Sequence, residues 1–333
     1  YDSVSFSVAG QDITPTGMFF AANGTKLYVS GFSNKSIFQY TLSTGFDIST
    51  ASYDSVSFNV NSQDNSPQNL FFNTDGTKMF HLGLQNDSVF QYSLSSAFDL
   101  STASYDSVSF STSSQETNPT GLFFSPSGEK MFIVGNAQDS VFQYSLSSAF
   151  DISTASYDSV SFSVSSQEDF AYSLYFSPNG TKMFVIGINN DTVYQYTLST
   201  GFDVSTASYD SVSFSYVSQE GVARTLAFND LGSKMYILGS GNDTIYQYST
   251  VTPAAPSWTD PDLANASYDS VSFSVAGQDG IPLGLNFNYD GTKAYIVGNS
   301  SDSIYEYALS TAWDLSTALY SSTSFSLASQ DTA

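Results

Sequence analysis

Few residues in this chain could do chemistry. It has one histidine, His81, one arginine, Arg224, and no cysteine, among 31 acids. Nucleophilic catalysis of the Ser–His or Cys–His kind needs an imidazole beside the nucleophile. His81 lies in the apolar run Lys78–Leu82, where sister segments carry Val or Ile, so it reads as a packed side chain. No glycine-rich phosphate loop, His-rich cluster or dinucleotide fingerprint is present. The sequence therefore predicts no catalytic residue, no metal ligands and no enzymatic activity.

The acids recur at fixed places. Asp12, Asp64, Glu116, Glu168, Glu220 and Asp279 each follow a Gln, and Asp87, Asp139, Asp191, Asp243 and Asp302 form a second column. Carboxylates in loops either accept backbone hydrogen bonds in Asx-type turns or bind a hard cation such as Ca²⁺. There is no EF-hand spacing, and no cofactor is implied unless Ca²⁺ is that cation. Six of the eight bases fill one position: Lys26, Lys78, Lys130, Lys182, Lys234 and Lys293. Asp54 and its equivalents are their expected ion-pair partners, in pairs worth at most about 1 kcal/mol each.

Recurrence of this kind requires a repeated element. Tyr-Asp-Ser-Val-Ser-Phe opens units at Tyr1, Tyr53, Tyr105, Tyr157, Tyr209 and Tyr268, with a weaker copy at Tyr320. Within one unit, Asn69–Phe72, Lys78–Leu82 and Ser88–Leu94 read as three strands, and the next Tyr-Asp-Ser segment as a fourth, outer strand. Asn73-Thr74-Asp75-Gly76-Thr77 is a tight turn between the first two. Four short antiparallel strands per unit make one propeller blade. The expectation is an all-β, six-bladed β-propeller of four-stranded antiparallel blades. The alternatives are a seven-bladed ring or part of a longer array. Residues 1–333 read as a single domain of six repeats with an extra outer strand at 320–333. Either terminal copy, Ser3–Val8 or Ser321–Leu327, could close the ring.

The run Pro-Thr-Gly-Leu-Phe-Phe-Ser-Pro-Ser-Gly-Glu-Lys-Met-Phe-Ile-Val-Gly (119–135) resembles the inner strands of the YVTN/lactonase-like propellers. The whole unit, with Asp-Ser-Val-Phe-Gln-Tyr and Phe-Asp-Ile-Ser-Thr-Ala-Ser, is similar to repeats of marine bacterial and phage-associated surface proteins. The resemblance implies the propeller fold. A lactonase would want a metal held by polar residues on the axis. The inner strands here offer mainly Met18, Leu70, Leu122, Leu174, Leu226 and Leu285, with Asn69 and Asn286 as polar exceptions.

One column varies between repeats, at the entry to the inner strand. It carries Thr16, Gln68, Thr120, Tyr172, Arg224 and Leu283, with Phe170 just before Tyr172. These residues are expected to ring the mouth of the central channel, with Arg224 gripping an anionic or hydroxyl-rich group and Tyr172 and Phe170 forming an aromatic wall. The competing reading is drift in an unconstrained loop, with Arg224 neutralising nearby acids. Thr252–Ala264 is a Pro-rich insertion carrying Trp258, read as a surface loop or a subunit contact.

The formal charge of −23 argues against nucleic acid and anionic membranes as partners. No run of 18 apolar residues suits a membrane span. The expectation is a non-enzymatic extracellular recognition or structural module on a cell surface or virion, such as a phage tail appendage. Its expected partner is a surface glycan or protein, or other subunits of a virion or surface assembly. The alternatives are a metal-assisted, lactonase-like hydrolase and a repeat brick of a larger assembly.

Overall fold

The structure is a computed structural model. It describes residues 3–229, 232–250, 271–280, 282–287, 292–298, 300–311 and 314–327. The chain divides into two compact units, Tyr1–Pro256 and Ser257–Ala333. The Thr252–Ala264 insertion with Trp258 lies outside the described residues.

In the first unit, β1 (Ser5–Ser7) precedes β2 (Pro15–Phe20), β3 (Lys26–Gly31), β4 (Ser36–Leu42) and β5 (Ala51–Asn59). The set recurs as β6 (Pro67–Phe72), β7 (Lys78–Gly83), β8 (Ser88–Leu94) and β9 (Ala103–Ser111). It recurs again as β10 (Pro119–Phe124), β11 (Lys130–Gly135), β12 (Ser140–Leu146) and β13 (Ala155–Ser163). Then come β14 (Ala171–Phe176), β15 (Lys182–Gly187), β16 (Thr192–Leu198) and β17 (Ala207–Ser215), followed by β18 (Ala223–Phe228), β19 (Lys234–Gly239) and β20 (Thr244–Ser249). The second unit holds β21 (Pro282–Phe287), β22 (Lys293–Gly298), β23 (Ser303–Leu309) and β24 (Ala318–Ser326). The described strands form six four-stranded antiparallel sheets, the blades of the β-propeller architecture that the repeats predict.

In the first unit the inner strands form a cycle: β2 packs on β6, β6 on β10, β10 on β14, β14 on β18, and β18 back on β2. Five blades thus close a ring. The apolar core lies between blades. Tyr28 and Ile37 of the first blade pack with Leu70, Phe72 and Met79 of the second. Ala227, Tyr236 and Ile245 of the fifth pack with Met18 and Leu27 of the first. No blade buries its apolar faces alone, which is why the unit repeats. Inner strands such as β6 are buried along nearly their whole length, whereas outer strands such as β5 alternate. This is the difference between a strand covered on both faces and one half-covered.

The fifth blade takes its outer strand from the N-terminus. Phe6 pairs with Ile245 of β20, and its ring stands edge-on to Tyr40 of the first blade at 5.6 Å. The Tyr236 hydroxyl donates to the Phe46 carbonyl across the same seam. Tyr1–Asp12 and Tyr268–Asp279 have the same sequence, yet residues 271–275 form no strand. The C-terminal copy is the outer strand of its own sheet, as β24. In that second unit Leu283, Leu285, Leu319 and Phe325 are exposed.

The Tyr-Asp-Ser signature has a local cause. Pairing along β4 jumps from Gln39↔Val56 to Tyr40↔Tyr53, leaving Asp54 and Ser55 in a bulge. Ser55 has φ 60°. The bulge turns the Asp54 carboxylate onto Lys26 Nζ at 2.7 Å, Gln39 Nε2 at 2.8 Å and Thr41 Oγ1 at 2.9 Å. Gly76, at φ +72°, lies under Phe98, whose ring would stand 2.3 Å from any Cβ there.

Candidate functional site at the axis of the first unit

The charged columns are mostly structural. Burial pushes the Asp54 carboxyl up, but hydrogen bonds from Lys26, Gln39 and Thr41, with the lysine's charge, more than reverse this and hold it below its ordinary value. Lys130–Asp158 and Lys182–Asp210 repeat the pair at 2.7 and 2.8 Å. Lys78 departs, donating instead to the Phe150 carbonyl at 3.0 Å. Lys293 meets Glu306, which stands where other repeats have Gln, at 3.1 Å.

The acids that follow Gln clasp the loop between the second and third strands. Asp12 accepts from the N–H groups of Thr14 and Asn34, each at 2.7 Å. Glu116 accepts from those of Asn118, Ala137 and Gln138. Burial raises the Glu116 carboxyl despite those backbone donors. The expected turn hydrogen bonding is therefore present. Among the described residues no three His, Cys, Asp or Glu side chains are grouped to hold a metal ion.

The cycle of inner strands makes an axis with two chemically different ends. At the end where each chain segment enters the inner strand, β2, β6, β10, β14 and β18 carry Thr16, Gln68, Thr120, Tyr172 and Arg224 at the same strand position. Thr16 Oγ1 lies 3.2 Å from Ser30 Oγ. Thr120 Oγ1 lies 3.1 Å from the Ala171 carbonyl of the next blade. Gln68 Nε2 donates to Ser66 Oγ at 3.3 Å, and Gln68 Oε1 is buried without a partner. These three side chains are turned into the protein. Arg224 is not: its guanidinium carbon stands 4.4 Å from the centroid of the Tyr172 ring, and Nε donates to Ser240 Oγ at 2.9 Å. Phe170 stacks on Tyr172 at 6.3 Å and 25°. Burial raises the Tyr172 hydroxyl, with the charge of Arg224 opposing.

The structure thus brings Phe170, Tyr172 and Arg224 into one stack and places Thr16, Gln68 and Thr120 around the same ring of strands. Leu283 belongs to the second unit, where it is 69% exposed, and the first unit's inner ring is complete without it. The idea that Arg224 neutralises neighbouring acids has no ion pair to support it: Arg224 has no acidic partner among the described residues.

The other end of the axis is apolar and was not singled out from the sequence. Phe19, Phe71, Phe123 and Tyr175 occupy one inner-strand column, each edge-to-face with the next at 5.1, 5.4 and 5.4 Å. The fifth member of the column is Ala227. The rings wall a cavity of about 200 Å³. Asn69, Ser173 and Thr225 stand one strand position beyond the Gln68, Tyr172 and Arg224 layer and also line it. The signal lay in the sequence, as an aromatic column broken once.

No family model matches the chain, and no curated protein matches it. Solved structures do. A putative 6-phosphogluconolactonase from Bacteroides uniformis is 13% identical with a TM-score of 0.45, over 94% of this chain and 85% of that one. A periplasmic gluconolactonase from Pseudomonas aeruginosa is 14% identical with a TM-score of 0.45, over 92% and 83%. A functionally unknown protein from Desulfotomaculum acetoxidans is 12% identical with a TM-score of 0.44, over 92% and 85%. The expectation of a protein without enzymatic activity is corrected on this finding: structures similar to this chain include proteins named as lactonases.

Proposed function

We propose that the first unit is a recognition propeller that takes an acidic glycan at the Arg224 end of its axis. The observation that carries this reading is the state of Arg224. It is stacked on Tyr172 and tied at Nε to Ser240, with no acid beside it, in a chain of net charge −23. A guanidinium held by stacking keeps its remaining N–H donors for a planar anion, and the Phe170–Tyr172 wall suits the apolar face of a sugar ring. An arginine merely left over from drift would be drawn to the surrounding carboxylates. The setting that we propose is a cell or virion surface, where a cysteine-free chain needs no redox partner.

The test is calorimetric titration with uronate oligosaccharides, neutral glucose oligomers serving as the control. Binding is expected for the acidic set alone. Arg224→Ala should weaken it at least tenfold, a loss of about 1.4 kcal/mol, and Tyr172→Ala should weaken it as well. Unchanged affinity in both variants sinks the reading. The same panel includes glucono-1,5-lactone and its 6-phosphate. Ring opening faster than the spontaneous rate, lost in Arg224→Ala, would instead make that arginine part of a hydrolase.

A further inference from the structure

The cavity at the opposite end of the axis has a shape its own sequence column explains. Four blades place an aromatic ring there, Phe19, Phe71, Phe123 and Tyr175, and successive rings meet edge to face. Edge-to-face contact sets the electropositive rim of one ring against the face of the next. At the fifth blade the chain of rings stops, because Ala227 has no ring to offer. The cavity that these residues wall together measures about 200 Å³. An apolar cavity of roughly 150 Å³ is enough to take benzene.

Polar side chains interrupt the apolar wall, Asn69, Ser173 and Thr225 among them. Asn69 is 4% exposed. Its Oδ1 accepts from the Leu70 N–H at 2.8 Å, while its side-chain N–H₂ has no hydrogen-bond partner. Ser173 and Thr225 satisfy each other, Oγ to Oγ1 at 3.3 Å. An acceptor on a ligand would give that donor a hydrogen-bond partner.

We infer that this cavity binds a single-ring aromatic molecule bearing one hydrogen-bond acceptor, such as a phenol. The ligand's ring takes the place that Ala227 leaves open, and its oxygen accepts from the Asn69 amide. The occupant is a ring rather than an alkyl chain because the walls present rims and faces already arranged for a fifth aromatic member. This site is independent of Arg224 and lies at the other end of the axis.

The experiment follows the ¹⁹F resonance of 4-fluorophenol against the full chain, with fluorocyclohexane as the aliphatic comparison. The fluorophenol signal should broaden and shift in a saturable way, and the fluorocyclohexane signal should not. Ala227→Phe fills the gap from within and should weaken fluorophenol at least tenfold while leaving the near-ultraviolet circular dichroism folded. Should that variant fail to fold, Ala227→Leu serves the same purpose with a smaller side chain. Asn69→Leu should reduce the preference for fluorophenol over fluorobenzene. No saturable binding to the wild type, or equal binding by a folded Ala227 variant, overturns the inference.

Discussion

At the scale of single residues, His81 shows what a repeat tolerates. It stands where Val29 and Ile133 stand in other blades, fully buried, its ring 5.7 Å from that of Phe90. Neither ring nitrogen has a hydrogen-bond partner. Burial drops its pKa to about 3, so the folded protein holds it neutral. An unfolded chain protonates it near its ordinary value of 6.5. Between those values the unfolded state binds more protons, so this residue makes stability fall as pH falls from 6.5 towards 3. His81→Ile should stabilise the protein by about 1–3 kcal/mol, the usual cost of an unsatisfied buried polar group. It should also flatten the pH dependence across that window. Urea unfolding at pH 7 and pH 5 checks this; an equal loss between the two pH values in both proteins would refute it.

At the scale of elements, blades are joined by devices that a strand assignment cannot show. Gln39 donates through Nε2 to Asp54 in its own blade and accepts at Oε1 from the Leu100 N–H of the next, at 2.8 Å. Gln91 and Gln143 repeat that reach to Ile152 and Val204. The seam between the fifth and first blades depends on β1, which places Val8 in the core and covers the edge at Ile245. Removing residues 1–8 opens that edge and uncovers Tyr40. In a chain ending at residue 256, the deletion should lower the thermal midpoint by several degrees. A synthetic peptide of residues 1–12 should restore it by adding back the missing strand. An unchanged midpoint would mean that β1 contributes nothing to closure.

At the scale of the whole molecule, five interblade cores lie within Tyr1–Pro256. The inner-strand cycle and the β1–β20 pairing close there as well. Residues 1–256 expressed alone should therefore fold to a monodisperse, cooperatively melting β protein. Aggregation, or loss of the near-ultraviolet signal, would show that the ring needs more chain than this. In the second unit, Leu285 is 54% exposed, whereas its counterpart Leu70 in the ring is 1% exposed. A blade's inner strand is buried by neighbouring blades, not by its own sheet.

The blade itself could be read without coordinates. The period of the repeat, the alternation of the outer strand and the Asn-Thr-Asp-Gly-Thr turn are local signals, and local geometry follows from them. Arg224 and Tyr172 could be noticed as departures from a constant column, but their contact could not, since it links two blades 52 positions apart. Where the ring closes was not written in the sequence either. Residues 1–12 and 268–279 are identical, so no residue-by-residue reading could say which copy completes the fifth sheet. By itself, then, the sequence determined the repeated four-stranded unit, the acids that clasp its loops and the lysine–aspartate pairs at its bulges. Only the tertiary structure decided that five such units meet around one axis, and that the broken aromatic column and the stacked arginine lie at its two ends. Period and turn chemistry act between neighbours along the chain, whereas closure depends on how many tilted sheets fill the space around a common centre.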